Sequence, residues 1–189
     1  MKMQLADADY YALERLSVST LKNILSSKSL YYHYKQHPFV GNDATHLGQI
    51  VHLFFQNQQD KVQIIEPTYK VKKDGTDSKL IDKSITKLKN GDILYATQSQ
   101  YDIALELLKS ADDQRLLDLL KDYEFETAYL FDICGLKMKS KLDAESKYDI
   151  IDFKTTSKGV YLSDFAATID KSCYDMQAAT YLFAKADGR

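Results

Sequence analysis

Charged side chains interrupt the run Lys141–Thr156 where an apolar strand is expected, and their types and spacing suit metal-assisted chemistry. Ile150, Ile151 and Phe153 are β-branched or aromatic, and their density predicts a strand over Tyr148–Lys154 that enters the interior. Asp152 and Lys154 lie within it. Residues two apart on a strand share a face, so this carboxylate and this ammonium project toward one place. Upstream, Leu136, Met138 and Leu142 alternate with Lys137, Lys139 and Lys141, which predicts a strand over Leu136–Asp143, and Glu145-Ser146-Lys147 has the polarity of a tight turn. The hairpin so formed sets Asp143 and Asp152 at neighbouring positions. Two carboxylates held there repel unless a cation lies between them, and hard oxygen donors with open positions suit Mg²⁺ or Mn²⁺.

A bare D-x-K also fits an ordinary hairpin with a surface salt bridge, and alone it is a weak signal. The helices expected on either side add weight. Leu47, Ile50, Val51, Phe54 and Phe55 fall on one face of a helix over Asp43–Gln56. His52 lies outside that stripe, one turn beyond Gly48. Helical side chains lean toward the N-terminus, so the imidazole covers a residue without a side chain, which leaves room for a metal or a DNA phosphate. A histidine beside an apolar stripe is also commonly just a partly buried polar residue. The last helix, over Tyr174–Ala186, carries Gln177 and Tyr181 one turn apart, a spacing that equally fits a surface pair.

Taken together, Leu16-Ser17-Val18-Ser19-Thr20-Leu21-Lys22, Leu47-Gly48-Gln49-Ile50-Val51-His52, Lys141-Leu142-Asp143, Asp152-Phe153-Lys154-Thr155-Thr156 and Tyr174-Asp175-Met176-Gln177-Ala178-Ala179-Thr180-Tyr181 resemble, in order, the PD-(D/E)-x-K nuclease superfamily. Within it they are similar to phage and prophage exonucleases of the exonuclease VIII (RecE) type, relatives of lambda exonuclease. Leu142 stands where the superfamily's name puts proline, a position that shapes backbone rather than chemistry.

The resemblance implies an α/β, restriction-endonuclease-like core with a mixed central β-sheet flanked by α-helices. It assigns catalysis to Asp143, Asp152 and Lys154, and Mg²⁺ or Mn²⁺ binding to His52, Asp143, Asp152 and the carbonyl of Phe153. Gln177 and Tyr181 would orient the scissile phosphate or the attacking water. Glu126 matches a glutamate found in relatives, although as an isolated strand carboxylate it reads as structural. The implied substrate is linear double-stranded DNA, degraded from 5′ ends to leave 3′ single-stranded tails for recombination with a single-strand annealing protein. Alternatives are an endonuclease of restriction or repair type on the same fold, or a non-catalytic DNA-binding protein that keeps it. The family works as ring-like homo-oligomers. The resemblance also implies at least one further strand and helix after Arg189, so the chain is expected to be short there, weakly associating, and distributive on DNA.

Composition supports a single globular domain over residues 1–189, with 44% hydrophobic and 28% charged residues. Its 25 basic and 27 acidic residues leave a net charge of −2, so any hold on DNA must be local rather than a bulk-charge effect. Lysines cluster at Lys70, Lys72 and Lys73, at Lys137, Lys139 and Lys141, and at Lys154 and Lys158, each of which also reads as a solvated face. Cys134 and Cys173 lack C-x-x-C spacing, which supports neither zinc nor the iron–sulfur cluster of some superfamily relatives. Neither a signal-peptide core nor a run near the ~20 apolar residues of a membrane span is evident, so a reduced, cytoplasmic protein without a membrane partner is expected.

The remaining elements expected are a first helix capped by Ser17 with a Leu16–Leu21 staple, a Tyr- and His-rich segment from Ser29 to Pro38, and a strand over Val62–Glu66. Interleaved aromatic and basic groups in Ser29–Pro38 suit stacking on unpaired bases, or a half-buried helix on the core. Tyr69–Asp77 reads as a charged loop, followed by a helix from Asp77 to about Leu88 that Asn90-Gly91-Asp92 ends. A helix over Thr97–Lys121 should break near Asp112-Asp113. Phe125–Ile133 should form a strand turned by Gly135, and Leu162, Phe165 and Ile169 a short amphipathic helix.

Overall fold

The computed structural model describes residues 1–39, 41–66, 69–71, 73–75, 77–81, 89–90, 93–110, 114–156 and 161–187. They form a mixed α/β protein. In chain order the elements begin β1 (Lys2–Gln4), α1 (Asp7–Ala12), α2 (Val18–Ser26), α3 (Lys28–Gln36) and α4 (Asp43–Phe55). A 3₁₀ turn at Gln59–Lys61 leads to β2 (Val62–Ile64), β3 (Tyr69–Val71), β4 (Asp77–Ile81), β5 (Lys89–Asn90) and β6 (Ile93–Ala96). Then follow α5 (Gln98–Ser110), α6 (Gln114–Leu120), β7 (Glu124–Ile133), β8 (Leu136–Glu145), β9 (Ile150–Ile151), α7 (Leu162–Lys171) and α8 (Tyr174–Asp187). The chain divides into two compact units, Met1–Phe39 with Tyr123–Arg189, and Val40–Asp122.

In the first unit, β1, β7, β8 and β9 form one sheet in that order, antiparallel at every step. This takes the place of the expected mixed central sheet. β7, β8 and β9 follow one another through hairpins, and strands joined by short turns pair antiparallel. Cys134 and Gly135 form the two-residue loop between β7 and β8, with φ of 50° and 78°. Positive φ at both positions is the turn whose twist matches the flanking strands. Parallel pairing occurs in the second unit, where β2 lies beside β6 and β5 flanks β6 antiparallel. β3 and β4 pair separately.

Capping chemistry defines two helix starts. Ser17 accepts the Thr20 amide at 3.3 Å while Thr20 Oγ1 accepts the Ser17 amide at 3.4 Å, closing a capping box on α2. Leu16 and Leu21, the residues of the expected staple, both pack against the core of Tyr129, Phe131, Met138, Leu142 and Ala184. Asn42 and Thr45 close the same motif on α4. The α4 stripe buries Ile50, Val51 and Phe54 against Leu94, Ala96 and Ala104.

Several elements differ from the sequence reading. β1 and α1 precede the helix expected to be first. Lys139 fixes α1 by donating to the carbonyls of Tyr10 at 2.8 Å and Leu13 at 2.9 Å, a long-range capping that local spacing does not reveal. Asp77–Ile81 is strand β4 instead of a helix start, and Asn90 lies in β5; residues 82–88 and 91–92 of that reading fall outside the described residues. α5 ends at Ser110 and α6 begins at Gln114, and the break expected near Asp112-Asp113 lies outside the described residues. β6 was concealed by its brevity, although Leu94 and Ala96 are buried. The strand expected over Tyr148–Lys154 shrinks to Ile150–Ile151. Ser146 accepts the amides of Tyr148 and Asp149 at 3.2 and 3.1 Å, which assigns Tyr148 to the turn.

Glu145, read from sequence as a turn residue, is 2% exposed. The Tyr129 hydroxyl donates to its two oxygens at 2.9 and 2.8 Å, and Lys2 and Lys185 lie 3.1 and 3.6 Å away. Lys185, on α8, also donates to the carbonyls of Ser146 and, at 2.8 Å, Asp149. One ammonium thus ties α8 to the β8–β9 turn. Lys185→Met should destabilise the protein by roughly 3 kcal/mol in urea denaturation because it removes one of the two ammoniums beside a buried carboxylate and the donor to the Ser146 and Asp149 carbonyls, and adding Glu145→Gln should recover part of the loss.

Burial and the Glu145 hydrogen bond raise the Tyr129 phenol from 10 to about 12. The folded state therefore holds this proton more tightly than the unfolded chain. Its contribution is complete below pH 10 and should fade toward about pH 12 with a slope of up to about 1.4 kcal/mol per pH unit, a slope that Tyr129→Phe should remove from stability–pH curves.

Candidate metal centre

Glu126 on β7 and Asp143 on β8 come together, and Asp152 follows β9. β8 and β9 pair with Ala144 opposite Ile151, so Asp143 and Asp152 occupy the next facing positions. Asp152 has already left the strand. Asp143 Oδ2 accepts the Phe153 amide at 2.8 Å, and a side-chain oxygen there replaces the backbone acceptor that would continue the ladder. β9 ends for that reason.

Asp152 is held by two partners. Its Oδ1 accepts from Gln177 Nε2 at 2.9 Å, and its Oδ2 pairs with the Lys154 ammonium. Gln177 Nε2 also donates to the Tyr181 hydroxyl at 3.0 Å, and its Oε1 accepts from Lys22 at 3.2 Å. Asp152, Lys154, Gln177 and Tyr181 are thereby one connected group. Burial, reinforced by Asp152 and Asp143, pushes the Tyr181 phenol up, so it keeps its proton at neutral pH. Burial pushes Lys22 down, with the neighbouring Lys154 charge acting the same way. Both ammoniums approach the Tyr174 ring, at 5.3 Å for Lys22 and 5.6 Å for Lys154 from its centroid.

Glu126 is not the isolated carboxylate that the sequence suggests. One of its oxygens lies within 4.8 Å of one of Asp143. Its φ of 54° is left-handed, which is uncommon for a residue with a side chain, and the β7–β8 register passes over it between Phe125 opposite Ala144 and Thr127 opposite Leu142. Backbone held in such a region concentrates at functional sites. Lys141 pairs with Glu126 at 2.7 Å and with Asp7. Burial opposes the Lys141 charge, but the hydrogen bonds to Asp7 and Glu126 outweigh it and raise its pKa. Lys139 is 7% exposed, so these two lysines are not the solvated face their spacing allows.

A cavity of about 190 Å³ borders this group, lined in part by Tyr10, Tyr11, Ser140, Lys141, Gln177 and Tyr181. The buried Ser140 hydroxyl has no hydrogen-bond partner among the described residues. Glu126 and Asp143 offer hard oxygens at a separation that one divalent cation can bridge, and their mutual repulsion favours such an ion. His52 is half-buried on α4, in the second unit.

Lys22, Glu126 and Lys141 are the site residues to which sequence reasoning gave no role. Lys22 lies in the quoted Leu16–Lys22 motif, and Glu126 carried a signal through the resemblance. Lys141 lies in the quoted Lys141-Leu142-Asp143 motif, although its spacing with Lys137 and Lys139 also reads as a solvated face. Comparison with protein-family models, with curated proteins and with solved structures finds no match.

Lys141→Met should remove the cation shared by Asp7 and Glu126 and increase the repulsion among the carboxylates there. Stability at pH 7 should fall by roughly 2 kcal/mol, and the deficit should shrink as pH drops through the carboxyl range. Urea denaturation at neutral and acid pH checks this.

Proposed function

We propose that this protein is a metal-dependent deoxyribonuclease on a restriction-endonuclease-like core, acting as an exonuclease on the ends of linear double-stranded DNA. The observation that carries the reading is the bond between Gln177 and Asp152, which joins the D-x-K triplet to a helix 25 residues further on. An ordinary surface salt bridge between Asp152 and Lys154 needs no such partner. Support comes also from the Glu126–Asp143 pair, which fits a divalent ion, and from the sequence resemblance.

In this reading Glu126, Asp143 and Asp152 hold Mg²⁺ or Mn²⁺, with His52 the further ligand that the resemblance adds. When bound, the ion supplies Lewis-acid stabilisation of the charge that grows on a phosphodiester. Lys154 orients the attacking water and, as an ammonium, offsets negative charge in the transition state. Gln177 keeps Asp152 aimed. Tyr181, protonated at neutral pH, donates to a phosphate oxygen, and Lys22 adds positive charge beside it. The cavity at Ser140 and Lys141 takes up the neighbouring phosphate of the strand.

Digestion of end-labelled linear DNA with Mg²⁺ should occur, stop with chelator, and fall by on the order of a hundredfold or more in Lys154→Ala with DNA binding retained. Closed circular DNA should survive; its cleavage would point to an endonuclease, and inertness toward all DNA to a binding protein. Calorimetry should show Mn²⁺ binding lost in Asp143→Asn and weakened in His52→Ala. Equal Mn²⁺ affinity in wild type and Asp152→Asn would remove Asp152 from the ligand set.

A further inference from the structure

A second cavity, of about 490 Å³, lies in the first unit and shares no lining residue with the cavity beside the carboxylates. Thr20 and Asn23 of α2 line it, whereas Lys22, between them in sequence, reaches Gln177. Tyr31, Tyr34 and Lys35 of α3 and Lys137 of β8 also line it. The volume is within the range of pockets that take small organic ligands.

The wall is aromatic without being core. Tyr31 and Tyr34 stand three apart on α3 and so share a face. Both rings are half-buried, α3 has no buried residue, and neither tyrosine belongs to the packed cluster beneath the helices. Tyr32 and His33 meet them edge-on, with centroids 5.3 Å from Tyr31 and 5.4 Å from Tyr34.

The charges differ in their commitments. Arg15 is occupied, donating to the carbonyls of Phe131 and Met138 at 3.3 Å each and to Asp132 at 3.2 Å. The side chains of Lys35 and Lys137 have no ion-pair or hydrogen-bond partner among the described residues. Glu14 is the single carboxylate in the lining.

We propose that this cleft binds a strand of unpaired nucleotides, with bases stacked on Tyr31 and Tyr34 and phosphates against Lys35 and Lys137. Flat rings beside uncommitted ammoniums recognise a base and its phosphate together, and every base has a face to stack. A duplex conceals those faces, so the cleft selects single strands. With a net charge of −2 for the whole chain, such a hold must be local, and this is where it is built. The proposal extends beyond the nuclease reading and does not depend on it.

The test is fluorescence anisotropy of a short labelled oligothymidylate on the intact protein in chelator, so that failure of the metal-centre reading leaves the readout untouched. Binding should saturate. Tyr31→Leu and Tyr34→Leu should each weaken it by about tenfold, whereas Tyr31→Phe and Tyr34→Phe, which keep the ring, should stay near wild type. Lys35→Ala combined with Lys137→Ala should flatten the slope of log affinity against log salt by about 1.4. An absence of saturable binding, folded leucine variants that bind like wild type, or competition by unlabelled duplex as strong as by single strand would each overturn the proposal.

Discussion

The ammonium of Lys185 holds the first unit's site together. It lies against the buried carboxylate of Glu145 and takes two carbonyls of the β8–β9 turn, so the end of one helix is fixed to one hairpin. Gln177, Tyr181 and Lys185 follow one another at intervals of four along α8, which places them on a single face. Once Lys185 is anchored, the same face carries Gln177 to Asp152. Burying two opposite charges gains little net stability, but their directional bonds leave the helix a single position along the hairpin.

Around the carboxylates, compensation is local. Lys154 answers Asp152, Lys141 answers Glu126, and a backbone amide answers Asp143. Each acid is oriented by a neighbour before any ligand arrives. This preorganisation explains how a chain with net charge −2 presents a concentrated polar centre without a broad basic surface. It also assigns the lysines of β8 distinct duties: Lys139 closes the end of α1, and Lys141 clamps Asp7 and Glu126.

α2 serves two surroundings at once. Its capping box fixes where the helix begins, and from that start Lys22 projects toward Gln177 while Thr20 and Asn23 face the tyrosine cleft. A single helix can do this because Thr20 and Asn23, three apart, share a face, whereas Lys22, one or two residues from each, points elsewhere.

The sequence by itself determined whatever depends on neighbours along the chain. α4 was legible from its apolar stripe, α2 from the Ser17 cap, the β8–β9 hairpin from alternation and a polar turn, and α8 from the spacing of Gln177 and Tyr181. Tertiary structure alone decided the rest. Glu145 reads as a turn residue because its partners Lys2, Tyr129 and Lys185 come from distant segments. The pairing of Lys141 with Asp7 and Glu126 likewise appears only when those residues arrive from elsewhere in the chain. The length of β9 was decided by Asp143, whose carboxylate captures the Phe153 amide ten residues away and ends the ladder. Propensity and periodicity record local preference, whereas the pairing of charges and the ending of a strand depend on what the fold brings alongside.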